Sequence, residues 1–98
     1  MPISTLDLLK SRREEILALA EKHGVTEVRV FGSVARGEEE KDSDIDFLID
    51  MEKDRSLFDL MGFQQDLEEI FKRKCDVVSK NGLHWVIRDD VLGEAKPL

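Results

Sequence analysis

The sequence predicts a small α/β domain, and three observations carry that prediction. Val25–Phe31 and Asp44–Met51 alternate apolar and polar residues with the period of two that a strand requires. From Ser56 to about Arg73 the apolar residues recur at helical spacing instead. A short apolar run, Cys75–Ser79, follows directly, so strand, helix and strand make a βαβ unit with parallel strands and a right-handed crossover. The whole order reads α-β-(short α)-β-α-β-α around a small mixed sheet.

Each element has local reasons. Ser4, with Asp7 three residues on, is an N-cap for a helix over Thr5–His23, and Gly24 is its C′ residue. Leu6, Leu9, Ile16, Leu17 and Ala20 form its apolar stripe, with Arg12, Arg13, Glu14 and Glu15 outward. Ser11-Arg12-Arg13-Glu14 resembles a second capping box and offers a later start. Val28 and Val30 share one face of the first strand, which runs straight into Gly32-Ser33. Ser33–Arg36 reads as a helical turn stopped by Gly37, and Glu38–Ser43 as a polar loop.

In the second strand Asp44, Asp46, Leu48 and Asp50 share a face, with Ile45, Phe47 and Ile49 opposite. Ser56 and Asp59 start the next helix, whose buried side is Leu60, Met61, Phe63, Leu67, Ile70 and Phe71. Gln64, Gln65, Asp66, Glu68 and Glu69 form its solvated side. Gly62 costs this helix about 1 kcal/mol unless something packs closely there. Lys72, Arg73 and Lys74 suit the dipole at its end. Asn81-Gly82 reads as a turn, and Leu83 to Ala95 as one or two short helical pieces.

Ninety-eight residues, 41% of them hydrophobic, suit a single domain spanning 1–98. No apolar run is long enough for a membrane span, and the N-terminus has no secretory pattern. The single cysteine, Cys75, cannot close an internal disulfide, so a cytoplasmic setting is expected. Net charge is −7, and acids crowd the stretch from Glu38 to Asp54. That field disfavours a long nucleic acid substrate but accepts a metal-bound nucleotide or a protein partner.

The chemistry concentrates in Gly32-Ser33-Val34-Ala35-Arg36-Gly37 and Ser43-Asp44-Ile45-Asp46. Asp44 and Asp46 project to one face, about 6.7 Å apart. The glycine-serine turn can bring N–H groups and a hydroxyl to a phosphate. Metal-holding carboxylates and a phosphate turn are the parts that nucleotidyl transfer requires. If the first two strands are antiparallel neighbours, both features fall at one end of the sheet. Parallel pairing of the second and third strands brings Asp76 there as well.

These motifs resemble the signature of the DNA polymerase beta-like nucleotidyltransferase superfamily. Over nearly the whole chain the sequence is similar to its minimal nucleotidyltransferase (MNT) branch. The resemblance implies an antitoxin that transfers AMP from ATP to a tyrosine hydroxyl of a HEPN-domain ribonuclease toxin. Asp44, Asp46 and Asp76 are then the catalytic and metal-binding carboxylates, holding two Mg²⁺ ions about 3.5–4 Å apart. Gly32 and Ser33 would hold phosphates. Arg36 either contacts a phosphate or pairs with the acidic loop.

Other residues carry less. His23 reads as a helix-end dipole contact or surface residue, Cys75 as an ordinary buried thiol, and Trp85 as a core residue beside His84. Gly37 reads as a turn residue. No His/Cys cluster has zinc spacing. A different reading is a non-catalytic antitoxin that masks its toxin by direct contact, which the acidic surface also suits. Transfer to a small molecule such as an aminoglycoside would require the second domain that larger relatives carry. A chain this short leaves the acceptor, or a second copy in a homo-oligomer, to complete the site.

Overall fold

Alternation places the first strand. β1, Val25–Phe31, buries Val25, Val28 and Val30 and leaves Thr26, Glu27 and Arg29 half or fully exposed. A computed structural model of the chain describes residues 4–38, 44–80, 93 and 95–98. β2, Ile45–Met51, pairs antiparallel with β1, and β3, Cys75–Ser79, pairs parallel with β2. The sheet order is β3-β2-β1-β4, in which β4, Lys96–Pro97, pairs antiparallel with β1. β4 has no counterpart among the elements expected from sequence. Two residues carry no periodicity, and Pro97 is tolerated because β4 is an edge strand. The expected Asn81-Gly82 turn, and nearly all of the helical pieces expected between Leu83 and Ala95, lie outside the described residues.

The single helix expected over Thr5–His23 is broken into α1, Thr5–Ser11, and α2, Arg13–Lys22. Ser4 Oγ accepts the Asp7 N–H (3.1 Å), as its N-cap role requires. The break falls at Arg12, whose φ of −109° and ψ of 21° leave the helical region. Arg12 is not outward. Its guanidinium donates to the Ile70 carbonyl (3.4 Å), lies 5.3 Å from the Phe71 ring centroid and pairs with Glu15 (2.8 Å). It thus reaches the carbonyl-rich end of the helix preceding β3, a cation-π and dipole contact that a straight helix does not make.

That helix, α4, spans Leu57–Phe71, and the Asp59 carboxylate accepts the Ser56 N–H at its start (2.9 Å). Phe63, Leu67 and Phe71 line its buried side, joined by the half-buried Leu60 and Ile70. Met61 does not: it is 55% exposed, and Leu17 on α2 is likewise exposed. Gly62 is accommodated by His23, since a Cβ there would come within 3.0 Å of the imidazole Cε1. The ring leans on Phe63 and hydrogen-bonds Asp66 through Nε2 (2.7 Å), so His23 is a packed helix-end residue rather than a surface one.

The core lies on the sheet face of Val28, Val30, Ile45, Phe47, Ile49, Cys75 and Val77, against Leu9, Ile16 and Ala20 and against α4. Phe47 and Phe63 are fully buried, each side chain contributing about 2–3 kcal/mol by leaving water. Leu48 points to the opposite face, as predicted, yet it too is buried, outside this cluster. Among the described residues no helix is long and apolar enough to cross a membrane.

Candidate active site

Pairing register assembles the site. Phe31, the last residue of β1, faces Asp46 across the antiparallel pair, and Asp46 faces Asp76 across the parallel one. Asp44 precedes β2 by one residue, and Gly32 follows β1 directly. The glycine turn and the three carboxylate-bearing positions therefore meet at one end of the sheet. The core-facing neighbours Ile45, Phe47, Cys75 and Val77 are buried, and their anchoring fixes the opposite face as the one that Asp44, Asp46 and Asp76 present. All three aspartates are half-buried.

Gly32 starts α3, Gly32–Arg36, one residue before the predicted Ser33. Two facts require glycine there. Its φ is +73°, and a Cβ built on it would fall on the carboxylate of Asp46, against Oδ2. The turn and the second aspartate thus interlock. Ser33 is half-buried at the next position, its carbonyl accepting from the Glu38 N–H (2.9 Å). Gly37 has φ +72° with nothing within 4 Å of where a Cβ would stand, so it serves the turn alone. The Arg36 Nε donates to Glu38 Oε2 (3.0 Å), so an acidic-loop pairing is present in this structure.

Two supports escaped the sequence reading. The Cys75 N–H donates to Glu68 Oε2 (2.9 Å), pinning the start of β3 to α4 and with it the position of Asp76. Glu68 and Asp66 are half-buried and structurally engaged, in contrast to the solvated face expected for them. The other support is Lys74, whose carbonyl accepts the Ile45 N–H (3.0 Å) and whose Nζ lies 3.8 Å from Asp44 Oδ2. No periodicity marks either residue. The Cys75 thiol is buried, which pushes its pKa up to about 12, with the nearby Glu68 carboxylate adding to the effect. His84 and Trp85 lie outside the described residues.

The donor set is all oxygen, which fits Mg²⁺. Among the described residues no three His, Cys, Asp or Glu groups enclose a metal site by themselves. Mg²⁺ characteristically uses one or two carboxylates, with substrate phosphates and water completing its shell, so this arrangement fits a nucleotide-delivered ion.

A nucleotide-handling α/β domain is the class that this fold and site define, and comparison with known proteins narrows it. Residues 12–98 match the nucleotidyltransferase domain family, and the chain belongs to that family of transferases. It is 41% identical over 76 residues to the protein adenylyltransferase MntA of Thermococcus cleftensis, covering 78% of this chain and 77% of that protein. It superposes with a TM-score of 0.85 and 46% identity on a solved structure provisionally described as a minimal nucleotidyltransferase, covering 95% of both chains. A chain of the complex between the tri-AMPylated Shewanella oneidensis HEPN toxin and its MNT antitoxin shares the fold at TM-score 0.67 and 17% identity, covering 90% of this chain and 69% of that one. The small mixed sheet expected from sequence is that of this fold, with β4 as the strand the sequence did not announce.

Proposed function

We propose that this chain is an antitoxin that uses Mg²⁺ and ATP to transfer AMP to a tyrosine hydroxyl of a HEPN ribonuclease toxin. The observation that carries this reading is the single rung Phe31–Asp46–Asp76, which sets Gly32-Ser33 beside the three aspartates. The T. cleftensis relative bears the name of a protein adenylyltransferase, and the Shewanella complex holds an AMPylated toxin beside an antitoxin of this fold.

In this reading Asp44, Asp46 and Asp76 hold Mg²⁺, which offsets charge on the triphosphate and favours ionisation of the acceptor hydroxyl. The Gly32-Ser33 backbone and the Ser33 hydroxyl hold phosphate oxygens, and Arg36 leaves Glu38 to contact a phosphate. Asp76 would accept the hydroxyl proton or help the metal lower that hydroxyl's pKa. The acceptor oxygen bonds to the α-phosphorus, the bond from that phosphorus to the bridging oxygen breaks, and pyrophosphate departs with the electron pair. The toxin, as a protein with an RNA-binding surface, complements a chain of net charge −7.

The chain contains no tyrosine, which makes the test clean. Incubation with α-labelled ATP and the HEPN protein should yield tyrosine-linked AMP on the second protein alone. Asp44→Asn should reduce the label at least about 100-fold. Equal labelling by Asp44→Asn would refute the assignment. Full neutralisation of the toxin by an Asp44→Ala/Asp46→Ala variant would favour masking by contact.

A further inference from the structure

A cation stands on either side of the carboxylate row. Across the site end of the sheet the order is β3 with Asp76, β2 with Asp44 and Asp46, then β1 leading into Gly32-Ser33. Adjacent strands lie about 4.8 Å apart, so the start of β3 is about 10 Å from the glycine-serine turn, with the aspartates of β2 between. On the β1 side Arg36 pairs with Glu38 (3.0 Å). On the β3 side the Lys74 Nζ lies 3.8 Å from Asp44 Oδ2. Sequence position alone makes Lys74 one more basic residue after α4; its reach to Asp44 brings it into the site. Its backbone is fixed: the Lys74 carbonyl accepts the Ile45 N–H (3.0 Å), and the next N–H, of Cys75, donates to Glu68 (2.9 Å). Its side chain is not. It is 67% exposed, and 3.8 Å is longer than a hydrogen bond. Such an exposed pair is worth about 0–1 kcal/mol, so the ammonium can exchange Asp44 for another partner at little cost.

We propose that Lys74 is the acceptor-side contact of this site: its ammonium moves from Asp44 to the hydroxyl oxygen that attacks the α-phosphorus and stabilises the negative charge developing there. This assignment rests on the AMP-transfer reading of the site. In an in-line displacement the attacking and leaving oxygens stand on opposite sides of the phosphorus. With the outer phosphates at Gly32-Ser33, pyrophosphate leaves on the β1 side and the acceptor arrives over β3, where Lys74 stands. Lys74 remains an ammonium throughout. The hydroxyl oxygen bonds to the α-phosphorus, the bond to the bridging oxygen breaks with its electron pair leaving on pyrophosphate, and the hydroxyl proton goes to Asp76 or to water. A cation is needed on this side because an oxygen gaining negative charge beside three aspartates, in a chain of net charge −7, is otherwise repelled.

Steady-state AMP transfer to the HEPN protein, with ATP and the acceptor varied in turn, tests this. Lys74→Met should lower kcat/KM for the acceptor by about 10- to 30-fold, less than the loss of an enclosed donor because water reaches the ammonium. The KM for ATP, and the Mg²⁺ concentration that half-saturates binding of a non-hydrolysable ATP analogue, should stay within about threefold of wild type. Lys74→Arg should recover most of the loss. Lys53→Met makes the same change of charge beyond the far end of β2 and should leave acceptor kinetics within about twofold. Unchanged acceptor kinetics in Lys74→Met overturn the assignment, as does a Lys74→Arg variant no better than Lys74→Met. A parallel rise in the KM for ATP and in the Mg²⁺ requirement also overturns it, because Lys74 then only holds Asp44 in place. A wild type that transfers no AMP removes the parent reading and this assignment together, whereas the other outcomes are read with an active wild type and concern Lys74 alone.

Discussion

Gly32 and Gly37 bracket the same short helix with nearly the same backbone, φ +73° and +72°, and a pair of alanine substitutions turns that coincidence into a measurement. The left-handed conformation costs an alanine about 1–2 kcal/mol. Reduced entropy of the unfolded chain returns about 0.4–1 kcal/mol. Gly37→Ala meets no neighbour within 4 Å, so it should cost roughly 1 kcal/mol, a Tm loss of about 4–8 °C for a domain of this size. Gly32→Ala carries the same backbone cost and must also displace the Asp46 carboxylate. Asp46 is held by strand pairing on both sides, so its side chain must rotate rather than its backbone shift. An off-rotamer side chain adds about 0.5–1.5 kcal/mol, bringing the total near twice the Gly37→Ala value. Activity should separate the two more sharply. If Asp46 has the proposed role, moving its oxygen by about 1 Å should cost about 100-fold in rate, while Gly37→Ala should stay within a few-fold of wild type. Calorimetric melts and AMP transfer from labelled ATP read the two quantities. Equal stability and equal activity for the two variants would refute the interlock between the turn and Asp46.

Lys72 holds a φ of 53° at the end of α4, so Lys72→Gly should raise stability by about 0.5–1 kcal/mol, read as an increased urea midpoint at unchanged slope. Gly62→Ala should give little stabilisation in the wild type because its Cβ crowds His23; in a His23→Ala background the same change should gain about 1 kcal/mol of helix propensity, and equal effects in both backgrounds would remove His23 as the reason for the glycine. The Cys75 thiol, raised to about 12, stays neutral in the folded chain while the unfolded thiol ionises from about pH 9, so its contribution to stability is complete below pH 9 and is lost as pH rises toward 12. The Tm of the wild type should accordingly fall more steeply than that of Cys75→Ala between pH 9 and 11, and parallel slopes would contradict the burial argument.

The sequence was most legible where periodicity and chemistry coincide. β1 and β3 have the boundaries that alternation predicts, and the positions of Gly32, Asp44, Asp46 and Asp76 at one sheet end follow once β1 and β2 pair antiparallel and β2 and β3 parallel, as they do. Side chains that act across the fold were not legible. Arg12 looks like one of four charged residues on a helix exterior, and only the approach of Ile70 and Phe71, 58 and 59 positions away, explains why the helix breaks there. Glu68 shares its segment with Gln64, Gln65 and Glu69, and a one-dimensional pattern cannot tell which of them meets the first N–H of β3. β4 had no signal because two residues are too few to show a period, and the strand exists only because β1 offers an unpaired edge.

The same distinction explains why Met61 misled the helical pattern. Its spacing fits the buried stripe of Leu60, Phe63 and Leu67, yet α4 can bury only an arc of its circumference against the sheet, and Phe63, Leu67 and Phe71 fill that arc. An apolar residue outside a filled arc is either a tolerated excess or part of a second interface. Single exposed apolar residues are ordinary, whereas Leu57, Phe58 and Met61 stand together on adjacent turns at the start of α4. They lie toward the start of α4, whose other end leads into β3 and Asp76, so substitutions at Phe58 should leave the rung that holds Asp46 and Asp76 in place.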